Sequence, residues 1–195
     1  KKEYDPAQEN SFVPALCNRI DRNTSGIVLA AKNAAALRVL NQKIKDRELK
    51  KKYLCVVHGQ MPKKEETLTA YLRKDSEKNQ VKVFDRPVPD GRTIKTAYRV
   101  LAKKGDLSLL QVDLLTGRTH QIRAHMAHIG HPLLGDSKYG KNRSDKDLGY
   151  HFQALCAYQV TFAFATDGEV LEYLNGCTFT LSEVDFAKKL FGYHI

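Results

Sequence analysis

The sequence predicts an α+β fold built on a largely antiparallel sheet. Strand-like runs outnumber helix-like runs along the 195 residues. Most of these strands are separated by short turn signals, which typically connect antiparallel neighbours. Helical periodicity is confined to a few segments. Because the chain has no repeat and no low-complexity tract, we expect a single domain over residues 1–195.

The first third of the chain predicts short strands around one helix. Residues 1–14 are polar and are expected to be irregular, and residues 27–31 form an apolar strand. Asn33 caps a helix that runs to about Glu48. Its apolar residues lie on one face: Leu37, Leu40 and Ile44. A strand over residues 52–58 follows.

The middle of the chain predicts more strands and a second helix. Residues 67–86 hold one or two short strands, and the Pro-Asp-Gly at 89–91 indicates a hairpin turn. Residues 93–102 and 107–114 form an antiparallel pair. Residues 119–129 are expected to be helical, since Gly and Pro follow directly.

The last part of the chain predicts two strands and a short helix. The strands cover residues 153–164 and 169–175, joined by a turn at 166–168. Ser182 and Asp185 have the spacing of a capping box, so they start the final helix.

The charge balance indicates a polyanionic partner. The chain carries 32 Lys and Arg against 22 Asp and Glu, a net charge of +10, which points first to nucleic acid. An anionic membrane surface is the alternative, but no segment approaches the roughly 18 apolar residues of a membrane span. The start of the chain is too polar for a signal peptide. The cysteines form no C-x-x-C pair, so we expect reduced thiols and a cytoplasmic protein.

The run Asn-Arg-Ile-Asp-Arg-Asn-Thr-Ser-Gly, residues 18–26, places one carboxylate between two arginines. Arg19 and Arg22 favour the ionised form of Asp21, because a nearby opposite charge stabilises it. A positioned, ionised carboxylate is a candidate nucleophile. The alternative is a surface Asp in a local ion pair of little energetic value.

A second run, residues 115–125, stands where a strand turns into a helix. Backbone N–H groups at a helix start, with Arg118 beside them, form a candidate anion site. One side of the helix is an apolar stripe: Ile122, Met126 and Ile129. Arg123 lies on the flank of that stripe, where it can direct its guanidinium at a carboxylate.

Four histidines follow one another between residues 120 and 131. Their spacing lacks the i, i+4 pair of helical zinc sites, and no Cys or Glu completes a ligand set. We therefore predict no metal. The alternatives are that they cap the helix end, line a groove or contact phosphate.

These runs together resemble motifs of the pseudouridine synthases that modify large-subunit ribosomal RNA. The similarity lies in four segments that occur in the family's order: Arg-Ile-Asp-Arg-Asn-Thr-Ser-Gly (19–26), Lys-Tyr-Leu with Val-His-Gly (52–59), Gly-Arg-Thr-His-Gln-Ile-Arg-Ala-His (117–125) with His-Pro-Leu-Leu-Gly-Asp-Ser-Lys-Tyr-Gly (131–140), and Gln-Ala-Leu (153–155). The chain is identified as a member over residues 18 to about 165. The resemblance implies a bent mixed sheet with an active-site cleft on one face.

The resemblance also implies roles for single residues. Asp21 would be the catalytic carboxylate and Arg19 a neighbouring active-site residue. Tyr53 would stack on the target base, Arg123 would pair with Asp21, and Leu155 would line the pocket. For Tyr53 and Leu155 the alternative is plain core packing.

Further residues are assigned to substrate binding and to a basic rim around the cleft. Substrate-binding roles go to Arg22, Arg118 and His120. The rim candidates are Arg22, Arg118, Lys138 and the lysines at 50–52.

The chain departs from the family pattern in two respects. Asn18 stands where the family usually has His. The family's catalytic domain normally begins earlier, with a strand and a Lys-Pro loop, and often follows a small RNA-binding domain. Because the chain begins with Lys1, we expect a fragment that lacks these parts.

The implied reaction is isomerisation of uridine to pseudouridine in RNA, most simply in large-subunit ribosomal RNA. It needs no redox step and no group carrier, so no cofactor is expected. We expect a monomer that binds RNA and no membrane. Two alternatives remain: a glycosidase or nuclease that pairs Asp21 with Asp136, and a non-catalytic RNA-binding module.

Overall fold

The computed structural model describes residues 12–75, 80–140 and 144–195. Ten strands lie in these ranges: β1 Ala15–Leu16, β2 Ser25–Gly26, β3 Ala30–Ala31, β4 Leu49–His58, β5 Glu65–Asp75, β6 Gln80–Phe84, β7 Arg92–Lys104, β8 Leu107–Leu114, β9 Leu155–Phe162 and β10 Thr178–Thr180. The helices there are α1 Ala34–Lys45, α2 Gln121–His128, α3 Ser144–Asp147 and α4 Asp185–Phe191, with a 3₁₀ helix at Glu169–Leu174.

Most strands of the described residues join one sheet, in the order β10-β9-β4-β8-β7-β5-β6. Its pairs along this order are antiparallel. The outer edge of β9 is shared, because β2 pairs parallel to its first half and β10 antiparallel to its second half. Strands β1 and β3 form a separate antiparallel pair. The predicted α+β class with a largely antiparallel sheet is confirmed.

Strand β4 separates two apolar cores by the alternation of its side chains. Its odd-numbered residues Tyr53, Cys55 and Val57 pack with α2, and Leu49 on the same face packs with α1. Its even-numbered residues Leu54 and Val56 pack with α4 on the opposite face. The face that carries Tyr53 therefore also carries α1 and α2.

The prediction for α1 is correct at its start and too long at its end. Asn33 caps the helix by accepting a hydrogen bond from the Ala36 N–H at 2.8 Å. The helix ends at Lys45, and Arg47 then takes a positive φ of 62°. Glu48 turns inward, where its carboxylate accepts a hydrogen bond from the buried Lys43 at 2.7 Å.

The predicted strand at 27–31 is wrong for residues 27–29. Only Ala30 and Ala31 belong to a strand, β3. The Ile27 N–H donates to the Ala157 carbonyl at 2.8 Å, and the Leu29 N–H donates to the Asn18 side chain at 2.8 Å. Because separate partners take these amides, the run cannot form a continuous ladder.

The predicted strand at 169–175 is also wrong, because the segment is a 3₁₀ helix. Leu171 and Leu174 both pack against the α1 core. Their spacing of three residues matches the 3₁₀ repeat, in which i and i+3 lie on one side.

The predicted hairpin at residues 89–91 is wrong, although its turn is present. The turn at 89–91 forms, with the Gly91 N–H donating to the Val88 carbonyl at 2.9 Å, but it makes no hairpin. The strands on either side of it, β6 and β7, both pair with β5 instead of with each other.

The starts of two helices also differ from the predictions. Helix α2 begins at Gln121 and not at residue 119, and α4 begins at Asp185 without a side-chain cap. Of the residues 1–14 predicted to be irregular, 1–11 lie outside the described ranges.

Candidate active site

Asp21 lies in a tight turn beside the sheet. The Thr24 N–H donates to the Asp21 carbonyl at 3.0 Å, and Asn23 takes a positive φ of 66°. Asn tolerates this left-handed conformation better than most residues. The side chain of Gln153 holds the turn from outside, because its Nε2 donates to the Arg22 carbonyl at 2.7 Å and to Thr24 Oγ1 at 3.0 Å.

Gly26 brings this loop onto strand β9. Its φ is +119°, and an added Cβ would lie 2.3 Å from the Ala157 carbonyl oxygen. Only glycine therefore fits where β2 pairs with β9. The entry into the loop is fixed as well, since the Asn18 side chain accepts from the Leu29 N–H and the Leu29 carbonyl accepts from the Cys17 N–H.

Arg123 projects from the flank of α2 onto a buried carboxylate, Asp136. Its Nε donates to Asp136 Oδ2 at 2.7 Å and its Nη2 donates to Asp136 Oδ1 at 2.9 Å. This is the bidentate geometry in which arginine binds a carboxylate most strongly. Burial disfavours the charged guanidinium, but the bonds to Asp136 and the charge of Asp21 leave the pKa of Arg123 raised.

The remaining nitrogen of this guanidinium faces Asp21. Arg123 Nη1 lies 3.8 Å from Asp21 Oδ2, an ion-pair distance beyond direct hydrogen bonding. The expected pairing of Arg123 with Asp21 is an ion pair in this structure, without a direct hydrogen bond. Asp136 occupies the Nε and Nη2 atoms of the guanidinium, so Nη1 is the nitrogen left to face Asp21.

Asp136 is closed to solvent, with 0% of its side chain exposed. Its Oδ1 also accepts from the backbone N–H groups of Lys138 and Tyr139 at 2.9 and 3.2 Å. Burial opposes ionisation, but the bonds from Arg123 and these amides leave the pKa of Asp136 lowered. By contrast, 25% of the Asp21 side chain is exposed.

Tyr53 and Leu155 form an apolar wall on the same face. Both are buried in one cluster with Ile122, and Ile20, the neighbour of Asp21, packs against that cluster. Burial, reinforced by the charge of Asp21, raises the pKa of Tyr53 to about 12. The phenol therefore stays neutral at physiological pH, with its ring among apolar side chains.

Tyr139 connects the guanidinium to His120 and to the sheet edge. Its ring lies 5.3 Å from Arg123 Cζ, and its hydroxyl lies 2.8 Å from His120 Nδ1. The same hydroxyl accepts from the Val81 N–H on β6 at 3.1 Å. Burial lowers the pKa of His120, an effect partly countered by the charge of Asp21.

The sequence predicted no role for Tyr139 or Gln153, although Tyr139 lies in the segment 131–140 and Gln153 in the segment 153–155 that resemble the family. Their only local signal is that they are polar residues in loops. Their contacts span 58 residues to Val81 and 131 residues to Arg22, so no local pattern could predict them.

The arginines assigned to binding are exposed. Within the described part of the chain, the side chains of Arg19, Arg22 and Arg118 have no acidic partner. The predicted anion site at the start of α2 lacks one of its expected donors. The Arg118 N–H already donates to the Gln121 side chain at 3.1 Å, so it is not available to an anion. What remains at that position is the free guanidinium.

The other three histidines of this stretch each contact a different partner. His125 is buried and lies 3.0 Å from Thr96 Oγ1, whereas His128 pairs with Asp85 at 2.7 Å. His131 bonds the His58 carbonyl at 2.8 Å. No group of three or more potential metal ligands occurs within residues 12–75, 80–140 and 144–195.

In the same ranges no helix is long and apolar enough to cross a membrane.

The chain is similar over most of its length to known protein sequences. The sequence profile described as RNA pseudouridylate synthase matches residues 1–128. A Mycoplasma genitalium protein named as an uncharacterised RNA pseudouridine synthase is 40% identical over 168 residues, which cover 83% of this chain and 50% of that protein. The ribosomal large subunit pseudouridine synthase C of Vibrio parahaemolyticus is 37% identical over 160 residues, 80% of this chain and 50% of the relative. The chain thus spans about half the length of these curated relatives.

Solved structures share the fold. Human RNA pseudouridylate synthase domain containing 1 superposes with a TM-score of 0.70 at 24% identity, covering 91% of this chain and 80% of that one. Human RNA pseudouridylate synthase domain containing 4 gives a TM-score of 0.69 at 21% identity. Both likenesses concern the fold alone.

Proposed function

Because the chain belongs to the RNA pseudouridylate synthase family, we propose that it isomerises uridine to pseudouridine in RNA, with Asp21 as the nucleophile. The observation that carries this proposal is the contrast between two carboxylates around one guanidinium. Asp136 is buried, and both of its carboxylate oxygens accept hydrogen bonds from Arg123. Asp21 is partly exposed, and its carboxylate interacts with Arg123 only as an ion pair. Only Asp21 is available to attack a substrate.

The reaction conserves all atoms. The Asp21 carboxylate adds either to carbon 6 of the uracil ring or to the anomeric carbon of the ribose, and the N1–C1′ bond breaks. The base turns and joins C1′ through carbon 5. Carbon 5 then loses its proton, N1 gains one, and the carboxylate is released. The guanidinium of Arg123, 3.8 Å from Asp21, stabilises the free carboxylate before it attacks and again when it is released.

Tyr53 and Leu155 suit the role of holding the detached base. Their apolar cluster offers a surface on which a planar ring can stack. The target nucleotide must first leave the helical stack, at a cost of a few kcal/mol. The exposed guanidinium groups of Arg19, Arg22 and Arg118 can offset this cost through phosphate contacts.

The proposed substrate is large-subunit ribosomal RNA. Support comes from relatives such as the Vibrio parahaemolyticus protein, whose name specifies the ribosomal large subunit. The net charge of +10 fits a ribosomal RNA substrate, since it favours any long polyanion.

The test replaces Asp21 with Asn, which keeps the shape and removes the charge. Ribosomal RNA carrying uridine tritiated at carbon 5 reports the reaction, because isomerisation releases that tritium to water. We expect release to fall by many orders of magnitude while RNA affinity stays near that of the parent. Asp106→Asn, in the exposed β7–β8 turn, is the matched control and should release tritium normally.

Each alternative predicts a different result. A non-catalytic RNA-binding module releases no tritium even in the parent protein. A parental rate in Asp21→Asn would remove Asp21 from the mechanism. A glycosidase with an Asp21–Asp136 pair is disfavoured, because its second carboxyl group must face the cleft and Asp136 is buried.

A further inference from the structure

The three lysines at 50–52 fall on two different faces of the sheet. The register of strand β4 with β8 is unbroken from Lys52 to His58. Its register with β9 shifts between Lys52 and Tyr53, but the residue that is skipped, Tyr158, belongs to β9, so the alternation of β4 itself is regular. Lys51 therefore shares a face with Leu49 and Tyr53, whereas Lys50 and Lys52 point to the opposite face with Leu54. The sequence alone presents the three as one basic run.

The position of Lys51 on this face is specific. It lies between Leu49, which packs under α1, and Tyr53, which belongs to the proposed base pocket. Its direct partner on β9 is Val160, which is only 2% exposed. Two strand residues span about 7 Å, so Lys51 is roughly one nucleotide's length from Tyr53.

Lys51 is half-buried, and none of the described residues forms a hydrogen bond or an ion pair with its ammonium group. Burial lowers the pKa of this lysine. A second cation lies at the same end of β8, where Arg47 donates Nη1 to the Leu115 carbonyl at 3.0 Å. An unpaired, partly desolvated cation gains more from an incoming anion than a fully hydrated one does.

Lys52 has a different environment. It stands directly opposite Asp113 in the β4–β8 register, on the face away from Tyr53. Lys50 is exposed and pairs in register with Thr161, on the same far face. Neither lysine reaches the side of the sheet that carries Asp21 and Arg123.

We propose that Lys51 binds the backbone phosphate of the target nucleotide, or of its immediate neighbour, while Tyr53 holds the base. This assignment rests on the proposed function, since it takes RNA as the substrate. It makes Lys51 a binding residue inside the cleft and excludes Lys50 and Lys52 from that contact.

The test compares Lys51→Gln with Lys50→Gln, which makes the same charge change one residue away on the opposite face. Affinity for large-subunit ribosomal RNA transcribed in vitro is measured over a series of salt concentrations. Lys51→Gln should weaken binding about tenfold and reduce the salt slope by about 0.7 to 0.9, the value of one phosphate contact. Lys50→Gln should leave both quantities near the parental values.

Two further variants complete the comparison. Lys51→Arg should restore most of the affinity, because a guanidinium also binds phosphate. Lys52→Gln should behave like Lys50→Gln. Urea unfolding of each variant shows whether the fold is intact, so that a binding loss is compared only between folded proteins.

The proposal is overturned if Lys51→Gln and Lys50→Gln lose affinity equally, since the lysines would then act only through their diffuse field. It is also overturned if Lys51→Gln leaves the affinity and salt slope unchanged. Tritium release by the parent protein separates these outcomes from the proposed function. If the parent protein isomerises uridine and Lys51→Gln binds RNA as the parent does, only the phosphate contact of Lys51 is refuted.

Discussion

The Nη1 atom of Arg123 lies 3.8 Å from the Oδ2 atom of Asp21. This distance is too long for a direct hydrogen bond and short enough for a strong charge interaction. Arg123 therefore attracts the Asp21 carboxylate without a hydrogen bond that a substrate would have to replace. The arrangement depends on Asp136, which occupies Nε and Nη2 of the same guanidinium.

Replacing Asp136 with Asn should destabilise the protein by about 3 kcal/mol, because it removes the bonded partner of a buried cation. Tritium release should fall as well, since Arg123 is no longer held at its present distance from Asp21. Urea unfolding measures the first effect. Asp85→Asn is the control: Asp85 also forms an ion pair, but 87% of its side chain is exposed. An equal, small effect of both substitutions would contradict the anchoring role of Asp136.

Replacing Gly26 with Ala should destabilise the Asp21 loop. The new Cβ would lie 2.3 Å from the Ala157 carbonyl oxygen at a φ of +119°, so β2 must move away from β9. We expect a loss of about 1 to 3 kcal/mol in unfolding free energy and a large loss of tritium release. Gly117→Ala, where nothing lies within 4 Å of the new Cβ, should be nearly neutral. An active, fully stable Gly26→Ala protein would show that the loop is not held by this pairing.

The ionisation of Tyr53 should report the charge of Asp21. Burial and that charge raise the folded pKa of Tyr53 to about 12, from an ordinary value of 10.0. The neutral phenol thus contributes stability that is complete below about pH 10 and is lost as the pH rises through about 12. An NMR titration that follows the ring signals of each tyrosine separately should show the Tyr53 step at lower pH in Asp21→Asn than in the parent.

Tyr158 provides the internal control for this titration. Its pKa is also raised to about 12, by burial first and then by the charges of Tyr193 and Asp113. Its step should not move in Asp21→Asn. If Asp21→Asn left the Tyr53 step in place, the electrostatic contact between the two residues would be refuted.

The parts of the fold that the sequence predicted well are those with a strong local signal. Helix α1 combines an Asn cap with an apolar face, and the β7–β8 hairpin joins two apolar runs through a short turn. The parts that failed depend on distant partners. Residues 27–29 lose their strand because the Ile27 and Leu29 amides donate to Ala157 and Asn18, and residues 169–174 pack as a 3₁₀ helix against α1.

The candidate site divides in the same way. The sequence by itself determined the chemistry: a carboxylate between arginines at Asp21, and Arg123 on the flank of an apolar helix stripe. Only the tertiary structure decided which carboxylate Arg123 bonds, that Gln153 holds the Asp21 turn, and that Lys51 alone of its run shares a face of the sheet with Tyr53. Charge and periodicity act within a few residues of the chain, whereas the pairing and burial that decide these contacts join segments up to 131 residues apart.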